Sequence, residues 1–494
     1  MSKPLRRFVS DTLVNAVCRV VIAVRCVVLL PVFAAWGNVS LYGLFVQALL
    51  IVNFLLPLAT CRLEIAAVRF LTSERDRAAV RDRFYGYLAF VTAAAIALAV
   101  LLVSCANSVS YALFATSEQY VVVQLCALLL VVSAWTTFFR QFYRIFDQIK
   151  LMSIIEVIEA VAATVLVLLS IVYGFGIAGA ICSVAAVQLV SSVGMLANIA
   201  YRVGWPRWTL LQIDWRPMLF FGVALIPNGL MAWAVNYADR VVIVHFLGME
   251  SVGAYAAGYA FGETLKFFYA PLGLVFYPFA LRLWNAGHEA AVPSHFTDLF
   301  RYYVMAALPA SVGVAIVSQP ILRLMTNEAF LTDGLLVFAI ALGVAMQGLF
   351  QLNASVFHIA KKPWFMTLFF VVGALLNVVL NLVLVPRLGL HGAALSTALT
   401  FLVLCIAAVA CARKYIRYSL NWLDLAKTAL ASALMPAVLW FLPMKSWAGV
   451  LIAILSGVFV FALAMIILRA IRTEDFQRIH RLLQSPFEGS QPVG

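Results

Sequence analysis

Runs of roughly twenty apolar residues, parted by short polar breaks, follow one another along the whole chain. A bilayer-crossing helix needs a run of about that length. The pattern predicts fourteen spans: 12–35, 41–60, 84–105, 119–139, 153–173, 177–200, 218–246, 251–280, 302–323, 334–358, 364–385, 390–412, 425–443 and 447–468. Nothing reads as the ~10-residue alternating strands of an outer-membrane barrel. The expected class is therefore an all-α polytopic membrane protein. The longer breaks, 61–83 and 281–301, carry apolar residues on one side and charges on the other, as does the tail with Phe476, Ile479, Leu482 and Leu483. That is the pattern of helices lying on a membrane surface. After Gln484 no structure is expected.

Composition agrees with this class. The chain is 65% hydrophobic and 11% charged, whereas soluble domains are near 45–50% apolar and about 25% charged. Its net charge of +13 is explained by location and gives no reason to expect a nucleic-acid partner. Lys and Arg gather in alternate breaks (Arg62, Arg69, Arg75, Arg77, Arg81 and Arg83 in the longest) and at both ends, while the other breaks hold little beyond Arg387 and Lys445. Basic loops stay in the cytoplasm, so both termini are expected there. The basic start is not a secretory signal: its apolar run is full length, Asp11, Arg19 and Arg25 interrupt it, and no small-residue cleavage site follows. The eight cysteines are scattered with no CxxC, and the six histidines form no ligand spacing. Neither a metal nor a cofactor is expected. With short outer breaks and no soluble domain, a catalytic role is not expected either.

The chain repeats itself. Gly176-Ile177-Ala178-Gly179-Ala180 returns as Gly389-Leu390-His391-Gly392-Ala393, and Gly43 with Phe45 returns as Gly253 with Tyr255, about 210 residues on. Spans 1–6 and 7–12 thus read as duplicated halves in the same orientation, with a site expected where they meet. The expected division is 1–205, 216–415 and an additional hairpin with its tail at 420–494. Prolines 31, 57, 227, 271, 278, 309, 320 and 436 fall inside spans and allow local bending, so one half could rock against the other.

Polar residues inside the spans are the candidate chemistry. An ionisable group at membrane depth costs about 2.5–3.5 kcal/mol and is kept chiefly where it meets a partner or a cavity. The first span carries Arg19 and Arg25. The seventh carries Asn236, Asp239 and Arg240 on one face, near its outer end. The eighth carries Tyr255, Tyr259, Glu263 and Lys266 in a drifting stripe, and Glu263 and Lys266 can pair at i, i+3. Gln347, Gln351, Ser355 and His358 align on the tenth span, and Asn377 and Asn381 on the eleventh. Such amides either glue helices together or bond sugar hydroxyls. Glu156 and Glu159 open the fifth span, where a helix N-terminus favours acids. Arg19, Arg25, Arg240 and Lys266 against Asp239 and Glu263 leave the expected cavity positive.

The order Asn236-x-x-Asp239-Arg240-Val241-Val242-Ile243, Gly248, Val252-Gly253-x-Tyr255 resembles the polysaccharide-biosynthesis flippases of the multidrug/oligosaccharidyl-lipid/polysaccharide (MOP) exporter superfamily. Gly389-x-x-Gly392-Ala393-Ala394 and the basic stretch with Arg62, Glu64 and Arg69 are similar to that family too. The resemblance implies a fold of two pseudo-symmetric six-helix halves plus a C-terminal pair. It implies translocation of an undecaprenyl-pyrophosphate-linked oligosaccharide from the cytoplasmic to the periplasmic leaflet of a bacterial inner membrane, alongside polymerase and glycosyltransferase machinery. On that reading Arg19, Arg25, Arg240, Lys266, Tyr255, Tyr259, Gln351 and Asn377 bind substrate, and Glu263 and Asp239 couple an ion. Membrane lipids are the other expected partner. The alternatives are a cation-coupled drug antiporter of the same fold, a lipid II flippase, or a membrane polymerase or ligase.

Overall fold

The computed structural model describes residues 18, 21–22, 25, 27–72, 76–146, 148–206 and 216–470. Arg19, the opening of the first span and the expected tail helix lie outside the described residues. All regular structure among the described residues is helical. Helix α1, Val27–Trp36, is the described part of the first span. Then come α2 Val39–Ala59, α3 Leu63–Leu71, α4 Arg77–Ser104, α5 Ala106–Phe114, α6 Tyr120–Ile145, α7 Ile149–Val172 and α8 Gly176–Val203. The second half runs α9 Arg216–Leu247, α10 Met249–Gly262, α11 Lys266–Asn285, α12 Val292–Met325, α13 Gly334–Ile359, α14 Trp364–Leu388 and α15 Leu390–Ala412, and the chain adds α16 Trp422–Leu439 and α17 Trp447–Ile467. Thirteen described stretches are long and apolar enough to cross a membrane, and they correspond to spans 2–14. Asn38, Asp76, Asp333, Asn421 and Ser446 begin their helices by accepting a first-turn backbone N–H.

Three details differ from expectation. The eighth span is not one helix: a 3₁₀ turn over Glu263–Leu265 separates α10 from α11. The break at 61–83 is not a helix lying on the surface. Its first part, α3, is docked against α6 and α9 with Leu63, Ala66, Ala67 and Leu71 buried, and its second part already belongs to α4. The break at 281–301 is likewise taken up by the end of α11 and the start of α12. Apolar residues in both breaks find helical partners, which buries them better than a membrane surface does.

The halves are built alike. In the first, α6 packs on α4 and α8, and α8 on α7; in the second, α13 packs on α12 and α15, and α15 on α14. One large apolar core lies within the second half, and another fills the first half and reaches across to Met218, Ala256, Phe261 and Phe330 of the second. The repeated glycines hold the same posts: φ is +60° at Gly176 and +59° at Gly389, a region that costs a residue with a β-carbon about 1–2 kcal/mol. α16 and α17 pack on α12, outside the repeat.

Among the described residues α2, α3 and α5 of the first half pack on α9 or α10 of the second, and glycines set two of the close contacts. Repeat partners Gly43 and Gly253 touch each other: a β-carbon on Gly43 would come within 2.9 Å of the Gly253 nitrogen, and one on Gly253 within 2.1 Å of the Val39 carbonyl oxygen. Helices α2 and α10 therefore cross backbone to backbone, as small residues permit. At the other end, the turn between α2 and α3 rests on α9. A β-carbon on Gly222 would meet the Cys61 carbonyl oxygen at 2.4 Å, and one on Gly229 the Arg62 guanidinium at 1.9 Å.

Candidate functional site

Asp239, Arg240, Glu263 and Lys266 of the second half form one electrostatic cluster around the crossing of α9 and α10. Asp239 and Arg240 are 1% and 3% exposed. The Arg240 guanidinium donates to Asp239 Oδ1 at 2.8 Å and to the Asn236 carbonyl at 3.1 Å. The other Asp239 oxygen accepts from the Tyr255 hydroxyl at 2.7 Å. Aromatic rings surround the cation, with Tyr259 at 4.1 Å, Tyr237 at 5.2 Å and Tyr255 at 5.4 Å from ring centroid to guanidinium carbon. Asn236 in turn accepts from Gln347 of α13 at 2.7 Å. The pair is enclosed, and both oxygens of its acid have partners.

Glu263 and Lys266 flank the 3₁₀ turn. Lys266 Nζ donates to Glu263 Oε1 at 2.6 Å, and the side chains keep 33% and 31% of their surface. Tyr237, Tyr259 and Tyr269 are its electrostatic neighbours, and Glu263 also acts on Arg240. Shortly after the turn, Pro271 inside α11 leaves the Phe267 carbonyl without its helical donor.

Arg25 belongs elsewhere. With Ile22, Arg140, Glu156, Glu159 and Gln188 it lines a cavity of about 180 Å³ inside the first half. Arg140 reaches Glu159 at 2.8 Å and Glu156 at 3.9 Å, and both acids are over nine-tenths buried. Gln188 accepts from Ser133 at 2.7 Å. Arg140 is carried into the bundle by α6, which continues to Ile145. The signal that could have found this cluster is the i, i+3 spacing of Glu156 and Glu159, which no helix-end preference requires.

Among the described residues Arg140, Arg240 and Lys266 each pair with an acid, and Arg25 shares its cavity with Glu156 and Glu159. Two expected sugar-binding amides also sit apart from the cluster. Asn377 is wholly buried, donating to Thr400 of α15 and accepting from Asn381. Gln351 is exposed on α13, while Gln347, one turn earlier, is the amide that meets α9.

The sequence pattern of a family described as polysaccharide biosynthesis protein matches residues 8–284, more than half of the chain. A probable low-salt glycan biosynthesis flippase of Haloferax volcanii is 19% identical over 262 residues, 52% of this chain and 56% of that protein. A probable lipid II flippase of Thermotoga maritima is 28% identical over 192 residues, 37% of this chain and 39% of that protein. The matched regions therefore span between about two-fifths and just over half of these relatives' length. Among solved structures, a lipid II flippase in an inward closed conformation overlays with a TM-score of 0.74 at 15% identity, covering 93% of this chain and 99% of that one. An inward-facing multidrug resistance transporter of the MATE family, in the MOP superfamily, overlays with a TM-score of 0.60 at 14% identity, covering 82% and 94%.

Proposed function

The chain belongs to the polysaccharide biosynthesis protein family, with the fold of the MOP superfamily, and from that premise we propose that it flips an undecaprenyl-pyrophosphate-linked oligosaccharide from the cytoplasmic to the outer leaflet of a bacterial inner membrane. The observation that carries this is the partly exposed pair Glu263–Lys266 at the break between α10 and α11. Only 17% of the apolar stretch of α9 is buried inside the protein, against 61% for α6. A helix so little covered, beside ionisable groups that avoid lipid, fits the wall of a water-filled space. With about a third of its surface open, the pair holds less tightly than a sealed one, so Lys266 can leave Glu263 for an incoming phosphate. Arg240 cannot do the same cheaply, because breaking a buried pair costs about 3–5 kcal/mol.

The head group thus meets an exchanging cation rather than a permanently positive cavity. Glu263, released from Lys266, is then the carboxylate left to take up a coupling cation. Arg25 and Arg140 serve the first half in the same paired form. The halves 1–205 and 216–415 are the bodies that move, and the prenyl chain stays in lipid while the head group crosses.

The test is mass spectrometry of membrane lipids from a deletion strain, with surface polysaccharide assayed beside it. Accumulated undecaprenyl-pyrophosphate oligosaccharide with lost surface polymer is expected, and the gene carrying Lys266→Met should fail to restore the polymer although the protein is inserted. Full restoration by that variant would remove Lys266 from the site. The overlay on a lipid II flippase favours a second reading, which accumulation of lipid II instead would establish.

A further inference from the structure

A second cavity, of about 450 Å³, opens between α12, α13, α15 and α16. None of Arg25, Arg240, Glu263 and Lys266 lines it. Its inner walls are apolar: Met305, Met346, Leu349, Cys405, Val409 and Leu425. Polar residues line it too: Arg301, Asn353, Arg413, Asn421 and Asp424. Arg301 is held by Asp424 at 2.9 Å, both side chains under a tenth exposed. Arg413 stands exposed at the rim, its guanidinium 5.9 Å from the Tyr418 ring. Lys414 and Arg417, also exposed, follow it. From Arg413 down to Cys405 is eight residues of α15, about 12 Å at 1.5 Å per residue.

We propose that this slot is a binding site for an anionic phospholipid, with one acyl chain between the helices and its phosphate on Arg413. A chain-deep apolar slot with cations at the level of the helix ends matches a lipid standing in its own leaflet, and basic pockets between membrane helices recognise anionic head groups in this way. Charge complementarity selects the occupant: Asp424 is already spent on Arg301, which leaves Arg413 without a paired acid among the lining residues, and a zwitterionic lipid, whose ammonium offsets its own phosphate, gains less there. The slot also gives the added hairpin a purpose. α4, α6 and α8 are the repeat counterparts of α12, α13 and α15, and among the described residues no helix of the first half stands where α16 does. α16 supplies the fourth wall through Trp422, Leu425 and Thr428.

The chain leaves α17 close to this mouth, since Arg301 donates to the Ala470 carbonyl at 2.8 Å. The experiment therefore includes the tail. Native mass spectrometry of the full-length protein in detergent would be run with phosphatidylglycerol and with phosphatidylcholine, on the wild type, Arg413→Ala, Val409→Trp and a chain ending at Ala470. The wild type should retain phosphatidylglycerol and lose phosphatidylcholine. Arg413→Ala should lower retention roughly fivefold, the effect of one surface cation on anionic lipid, and Val409→Trp should abolish it by filling the slot. Equal retention of both lipids, unchanged in the two variants, would overturn the proposal. So would a several-fold rise on truncation, because the chain's own tail would then be the occupant.

Discussion

Asp239–Arg240 and Glu263–Lys266 are two ion pairs in one cluster, on consecutive spans, and they could hardly be treated more differently. Both have N–O distances under 3 Å (2.8 and 2.6 Å). The first is sealed by Tyr255, Tyr259 and Tyr237 and keeps at most a few per cent of its surface. The second sits at a helix break and keeps about a third. Distance alone ranks them as equals. What separates them is what each would lose if its partner left: the sealed pair has no water to fall back on, and the open one does. The sealed pair therefore fixes how α9 and α10 cross, while the open pair is free to exchange partners.

The largest effect should come from breaking the sealed pair. Asp239→Ala strands Arg240 without an anion in a closed aromatic box, and about 3–5 kcal/mol should be lost. Thermal unfolding of the purified protein would register this as a large fall in melting temperature. Arg240→Met, which leaves the acid stranded instead, should lie in the same range. A variant no less stable than the wild type would mean that water reaches the pair and that the contrast with Glu263–Lys266 is false.

The fold was largely readable from the sequence, because span length and the repeated glycines report on single helices and on their entry turns. Fourteen apolar runs and the pairing of Gly43 with Gly253 need no knowledge of neighbours. The site was less readable because its meaning lies in packing between helices. That Asp239 and Arg240 stand near the end of their span is legible in the chain, but nothing in it tells that the Tyr255 hydroxyl closes over them. Gln351 and Gln347 share one helical face in sequence, yet only Gln347 meets α9. Arg25 was grouped with Arg240 as a cavity cation, and it lies instead with Arg140, Glu156 and Glu159. The same limit hid the docking of Arg62 on Gly229, in which one half supplies the side chain and the other the missing β-carbon.

A smaller change probes the seal itself. Tyr255→Phe keeps the ring over Arg240 and removes only the hydroxyl that serves Asp239. A buried acceptor left short of a donor costs about 1–3 kcal/mol, so the loss should be well below that of Asp239→Ala. The two variants act on one network, and their effects should therefore fall short of additive in the double mutant. Full additivity would show that Tyr255 stabilises the protein by packing and not through the carboxylate.

The smallest effect on stability, and the sharpest use of the comparison, belongs to Lys266→Met. A pair with a third of its surface exposed should contribute about 0–1 kcal/mol, and that contribution should shrink further in high salt, because exposed charges are screened beyond about 3 Å at 1 M. Melting temperatures of Lys266→Met and the wild type should therefore be close in dilute buffer and converge as salt is added. Surface polymer, by contrast, should be lost in this variant, whereas Tyr255→Phe should lose stability first. Transport and stability would then fail at different residues of one cluster. If Lys266→Met instead destabilised the protein as much as Asp239→Ala, with no response to salt, both pairs would be structural and the exchanging cation would have to be sought among Arg25 and Arg140 in the first half.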